Sequence, residues 1–302
     1  MVIPDPTMQI PEQTAPPEGP LAPVRFIEIH ARELATVADT LDDMLDMRLT
    51  GLIIREAFPA AALAAAVHRL RATPPPVRPW DIRCFGDREP ETQDPRYAGF
   101  SFGMSLTNSF ADLSLYLESS AQMLAALPKL FGAELDFLAE LQRILSVISG
   151  RAVNPMPAPG GATYAPVSAR RLLEGATLTI HRGNEFFDWP SNHDLVHRVD
   201  TRDQISFFTP LLPPPSGGAL HVYPGYFSPQ AREQLERCSE EAFARSDRQM
   251  HVTVLQPAAG DLVVFDGGRY LHRVTAARGG ERWTIGGFVC PTPSADRVLM
   301  WA

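Results

Sequence analysis

Eight histidines are spread along the 302-residue chain, and two stand where their neighbours suit metal chemistry. His181 lies in "TIHRGNEF" (179–186), a β-branched run that meets a glycine at Gly183. His272 lies in "GDLVVFDGGRYLHRVTAARGGERWTIGGF" (260–288). There an apolar strand ends at a double glycine, a return strand opens on the histidine, and Arg282 follows. A neutral imidazole binds divalent metals well. An inward-facing arginine grips a carboxylate, bidentate where geometry permits.

Together these residues make the parts of a jelly-roll iron site. His181 is the expected proximal ligand and His272 the distal one. Arg282 is expected to hold the far carboxylate of 2-oxoglutarate. The plainer alternative is a strand carrying a chance His and Arg. The usual ligand set for such iron is two histidines and one carboxylate, leaving three open positions. Residues i and i+2 of a strand share a face, and two positions after His181 stands Gly183, which has no atom to offer. Neither Asp188 nor Asp194 has that relation to His181. "SNHDLVH" offers His193 as another ligand, but its acid is adjacent and its i+2 residue is Leu195.

A missing carboxylate removes one ligand and one negative charge. The open position then favours a small anion, chloride or bromide, with Gly183 expected to supply the volume. Iron, O2 and 2-oxoglutarate would give a ferryl-oxo that takes a substrate hydrogen, and the carbon radical would recombine with halide. The other histidines read as structural or exposed. His30 and His68 fall in helical segments, His221 on a strand, His251 at a strand start and His197 in a loop.

The elements that position these residues change character near residue 163. Beyond it, short β-rich runs alternate with turn clusters, the pattern of a sandwich or barrel. A helix expected over 228–247 interrupts them as a lid or a plain surface helix. Gly217 and Gly218 should make a tight turn beside the metal strand. Before residue 163 the pattern is mostly helical. Helical spacing covers 30–49, a strand follows in "TGLIIREAF", and 59–73 is an alanine-rich helix opened by proline. Residues 74–118 read as irregular. Residues 119–150 read as two helices, separated by Pro128 and Gly132 and capped by Gly150. The expected fold is α+β: a double-stranded β-helix (jelly roll, cupin-like) braced by N-terminal helices, with a helical lid insertion. A proline-rich flexible arm (1–23) precedes a single domain over 24–302, with a helical part to 160 and the jelly-roll core from 163.

Hydrophobic residues make up 45% of the chain and charged residues 21%, as in soluble globular proteins. The net charge of −8 argues against nucleic acid. No apolar run would span a bilayer, and no signal peptide is legible, so the expected location is cytoplasmic. Cys84, Cys238 and Cys290 are too few and too spread for a disulfide framework or a metal knuckle.

The chain resembles the freestanding iron(II)/2-oxoglutarate halogenases of hapalindole and welwitindolinone alkaloid biosynthesis, from about residue 50 to the C-terminus. The blocks that carry the resemblance are "TYAPVSARRLLEGATLTIHRGNEF", "DQISFFTPL", "GGALHVY" and "GGRYLHRV…RWTIGGF". It implies His181 and His272 as iron ligands, Gly183 at the halide and Arg282 on 2-oxoglutarate, assisted by Arg170. It implies Ser206 as a hydroxyl that steers the oxidant away from hydroxylation. Phe186, Ala98 and Gly99 would line the substrate pocket, and 228–247 would be a mobile lid. The implied substrate is a free small molecule, polycyclic and apolar, with no carrier protein. Arg182, between ligand and glycine, should face away from the iron. A hydroxylase of the same fold and a non-catalytic cupin-like binding protein remain the alternatives.

Overall fold

The computed structural model describes residues 23–72, 78–81, 98–106, 113–188, 192, 194–224 and 251–302, with the backbone alone at 78–81 and 98. The expected arm (but for residue 23), the expected lid helix 228–247, Cys84, Cys238 and His193 lie outside the described residues.

The chain opens with a strand, β1 (Phe26–His30), that pairs in parallel with β2 (Gly51–Arg55). A 3-10 turn (Ala31–Val37) and a short helix, α1 (Thr40–Leu45), connect them. The long helix expected over 30–49 is thus a strand end, a tight turn and six helical residues. Alanine favours the helix at α2 (Ala60–Ala72), which buries Ala62, Leu63, Ala66, Val67 and Leu70 along one stripe. The segment read as irregular holds β3 (Arg78–Asp81) and β4 (Ala98–Phe102), which pair antiparallel. It also holds the first turns of α3 (Leu113–Phe131). α3 runs through Pro128 without ending, because Met123, Leu127, Leu130 and Phe131 are all buried along it. Packing thereby outweighs the lost backbone donor. α4 (Phe137–Ser149) is capped by Asp136, whose side chain accepts from the Ala139 amide, and ends on left-handed Gly150.

The remaining strands are β5 (Val153–Pro155), β6 (Ser168–Leu172), β7 (Leu178–His181), β8 (Ile205–Leu212), β9 (Ser216–Gly217), β10 (Leu220–Val222), β11 (Thr253–Leu255), β12 (Leu262–Phe265), β13 (His272–Val274), β14 (Ala277–Arg278), β15 (Arg282–Pro291) and β16 (Val298–Trp301). The large sheet runs β1-β2-β12-β8-β15-β6-β4-β3, with β16 beside the far half of β15 and β5 beyond it. The small sheet runs β11-β10-β13-β7.

Alternation along the central strands decides how the layers stack. In β2, Leu52 and Ile54 join the core under the helices, while Ile53 joins the second core. In β12, Leu262 and Val264 point to the helices, while Val263 and Phe265 meet Leu220, Val222 and Val274 of the small sheet. A strand buried on both faces reads as a continuous apolar run, as "LVVF" does. The result is the expected jelly roll: helices, large sheet, small sheet. Among the described residues no helix is long and apolar enough to cross a membrane.

Candidate metal centre and co-substrate pocket

The small sheet brings the two histidines together. β7 and β13 pair antiparallel in the register that sets His181 opposite His272. Their ring centroids are 4.3 Å apart. Each ring is oriented by a carbonyl two residues back. His181 Nδ1 lies 2.7 Å from the Thr179 oxygen, and His272 Nδ1 lies 3.0 Å from the Tyr270 oxygen. An Nδ1–H donated to a carbonyl makes Nε2 the lone-pair nitrogen, as metal-binding histidines require. Burial, and then the neighbouring His181, hold His272 well below the usual histidine range. It is therefore neutral and able to ligate. Phe265 meets His272 edge-on at 5.0 Å. The pair suits a divalent metal such as iron(II), with positions left open.

Gly183 is placed differently from the sequence reading. β7 ends at His181, and Gly183 opens a 3-10 turn, Gly183–Asp188. The strand rule relating i to i+2 therefore does not apply. The turn is fixed from across the barrel: Gly183 N donates to the Gly267 carbonyl at 2.7 Å, and Asn184 N to the Gly268 carbonyl at 3.1 Å. The volume expected at Gly183 is also occupied. A Cβ there would overlap the carboxamide nitrogen of Gln204 and come within 3.3 Å of the Gly267 oxygen.

Among the described residues no carboxylate takes the third ligand position. Among the described residues no group of three or more His, Cys, Asp or Glu is placed to hold a metal. The nearby acids are engaged elsewhere. Glu185 pairs with Arg182 at 2.9 Å. Asp194 pairs with Arg198 and accepts from the Tyr164 hydroxyl at 2.9 Å.

The large sheet supplies the opposite wall. Arg282 opens β15 opposite Leu172, is buried, and lies over the Phe208 ring at 5.6 Å. Among the described residues no carboxylate pairs with it. Burial, and then the charge of Arg170, pull it down to about 10. Arg170, on β6, is pulled down to about 10 by burial and donates to Ser105 Oγ at 3.4 Å. Both stay charged at neutral pH, and the shifts record what it costs to hold them out of water. Ser206 sits on β8 between Phe265 of β12 and Phe288 of β15.

One cavity gathers these groups. Its lining includes Arg170, His181, Phe186, Ser206, His272 and Arg282. It encloses about 120 Å³, below the roughly 300 Å³ of the smallest drug-sized pockets. That space suits a small co-substrate more than a polycycle. Leu172, Phe208, Phe265 and Thr284 also line it, and the sequence reading named none of them. Gly99 does not line it among the described residues. It pairs with Leu172 one strand further out, and Leu172 forms the wall there. Ala98 has its backbone on β4 opposite Asp81, and its side chain lies outside the described residues.

A family model described as the carrier-protein-independent halogenase WelO5 matches residues 23–302. Among curated proteins no sequence matches. Among solved structures, a 2OG-Fe(II) oxygenase family oxidoreductase from Burkholderia pseudomallei aligns at 14% identity and a TM-score of 0.43, over 87% of this chain and 94% of that one. An N-substituted L-amino acid dioxygenase from Burkholderia ambifaria aligns at 13% identity and 0.45, over 89% and 91%. A prolyl-4-hydroxylase from Pseudomonas putida aligns at 17% identity and 0.41, over 85% and 98%.

Proposed function

The chain belongs to the carrier-protein-independent halogenase family, an iron- and 2-oxoglutarate-dependent oxidoreductase, and we propose that it replaces hydrogen by chloride or bromide at an unactivated aliphatic carbon of a free, apolar, alkaloid-like small molecule. The observation that carries this reading is the facing pair His181 and His272 with no carboxylate as a third ligand among the described residues.

Bound iron, with 2-oxoglutarate and O2, supplies the oxidising power to remove a substrate hydrogen atom. The protein's own residues do the rest. His181 and His272 hold the metal through Nε2, each ring fixed by its carbonyl partner. Arg282 is a buried cation facing the cavity, and a carboxylate of 2-oxoglutarate would give it the counter-charge that no described residue supplies. Arg170 adds a second positive charge on the same wall. Phe208 and Phe265 keep that wall apolar and exclude water. Ser206 presents a hydroxyl on the same lining and is assigned to orienting the ligands at the metal. Phe186, also on the lining, is assigned to the substrate. A polycyclic substrate would insert only its reacting edge into so small a space.

The test is direct. Iron-loaded protein is incubated with 2-oxoglutarate, O2, chloride and a library of apolar alkaloids. The expected product shows the chlorine isotope doublet. A product that gains oxygen under saturating chloride makes the enzyme a hydroxylase. No succinate with any substrate and no iron binding would make it a non-catalytic relative.

A further inference from the structure

Gln204 is 2% exposed, yet its side-chain nitrogen has no hydrogen-bond partner among the described residues. A buried donor left unpaired costs stability, and native proteins rarely leave one without a purpose. Its position is specific. That nitrogen lies too close to where a Cβ on Gly183 would stand for both to fit, so any side chain at this position would have to displace it.

The residues around it fix the arrangement. Gln204 N donates to Asn184 Oδ1 at 3.0 Å and to Asp203 Oδ1 at 2.9 Å. Asn184 Nδ2 in turn donates to Asp203 Oδ1 at 3.2 Å. These bonds tie the turn after His181 to the entry of β8, so Gln204 and Gly183 are held as a unit. Gln204 immediately precedes β8, the strand that carries Ser206.

We propose that Gln204 is the halide-binding residue of this site, donating through Nε2 to a chloride or bromide seated beside Gly183. The proposal rests on the halogenase reading and adds the group that recognises the anion. A halide is a spherical acceptor with no donor of its own. A neutral amide gives it a charge-assisted hydrogen bond without adding the competing negative charge of a carboxylate. The glutamine side chain ends in soft torsions, so the carboxamide can draw back from Gly183 to admit the ion while its N–H stays aimed at it.

The experiment reads halide binding directly. Protein loaded with cobalt(II) and 2-oxoglutarate is titrated with sodium chloride and sodium bromide, and the cobalt absorption bands are followed. Wild type should show a saturable shift. Q204M, which keeps the length and volume, should bind halide roughly ten- to a hundredfold more weakly. Q204E should show no saturable shift. Affinity for 2-oxoglutarate, measured by calorimetry, should change far less in Q204M than halide affinity does, since Arg282, the residue assigned to the co-substrate, has no bond to Gln204. Unchanged halide affinity in Q204M overturns the assignment of Gln204 and leaves the halogenase reading standing. No response in wild type overturns the halide reading, and this assignment with it. If Q204E does not fold, Q204M alone decides.

Discussion

Two clusters of buried charge lie on either side of the Gly183 turn, and they are built on opposite principles. Behind the turn, Asp203 and Asp266 are both fully buried around Arg269. Arg269 Nε donates to Asp266 at 2.7 Å, Arg269 Nη1 to the Leu45 carbonyl at 2.9 Å, and its remaining nitrogen lies 2.8 Å from Asp203. Burial, and then the charge of Asp266, push Asp203 up to about 9, so it carries a proton at neutral pH. Burial raises Asp266 as well, so one cation and a carboxyl pair sharing one proton sum to zero. In the cavity, Arg282 has no carboxylate partner among the described residues and has Arg170 as a neighbour. Burying charge without a partner is costly. The first cluster is therefore a closed strut, whereas the second, among the described residues, offers Arg282 no anion.

The same substitution should act oppositely in the two places. Arg269→Ala leaves Asp266 buried without its cation and removes the bond to Leu45. It should cost about 3–5 kcal/mol of stability and lower Tm by roughly 10 °C. A loss under about 1 kcal/mol would mean that the strut carries no load. Arg282→Ala removes a desolvated charge and should leave Tm unchanged or higher. It should weaken 2-oxoglutarate binding by about a hundredfold or more, measured by calorimetry on metal-loaded protein. Unaltered affinity would remove Arg282 from the co-substrate site. A large fall in Tm would erase the distinction between the clusters.

Gly183→Asp probes the turn between them. The new side chain must displace the Gln204 carboxamide and fit beside the Gly267 oxygen. Stability should fall by about 1–3 kcal/mol, and a carboxylate at this point should suppress chlorination. A variant that chlorinates at the wild-type rate refutes the idea that a missing acid makes the halide position.

What could be read from the sequence follows the range of the forces involved. "LVVF" and "ISFF" lie in runs legible as strands, and His272 and Arg282 open β13 and β15, with only the two-residue β14 between them. The facing of His181 and His272 depends on a register between strands far apart in sequence, which only the folded barrel sets. β1 was missed because "FIEIH" is five residues long and owes its conformation to parallel pairing with β2. α3 was cut at Pro128 because the buried stripe that carries it past the proline is a tertiary effect. Gly183 was assigned a strand geometry it lacks, since β7 ends two residues earlier. Gln204 gave no local signal. Its importance lies in its distance from a glycine that is remote in sequence.

The smallest predicted effect tests the strut without breaking it. An unfolded aspartate titrates near 3.8, whereas Asp203 in the folded chain titrates near 9. Between those values the folded state holds a proton that the unfolded state has released, so Asp203 makes stability fall as pH rises across the window. Asp203→Asn cannot ionise. It keeps an oxygen for the amide of Gln204 and the side chain of Asn184, and offers N–H to Asp266 where the acid offered O–H. It loses the oxygen that faces Arg269 at 2.8 Å, so at pH 7 it should be less stable by about 1 kcal/mol. Thermal melts from pH 8 to 9 lie well above the ordinary histidine range and so avoid the titration of His272. Over that range the wild-type Tm should fall more steeply than that of the variant, and the gap should close or reverse. Parallel curves would show that Asp203 is ionised throughout. The cluster would then carry a net negative charge behind the turn, and the contrast with Arg282 would become one between two open sites of opposite sign.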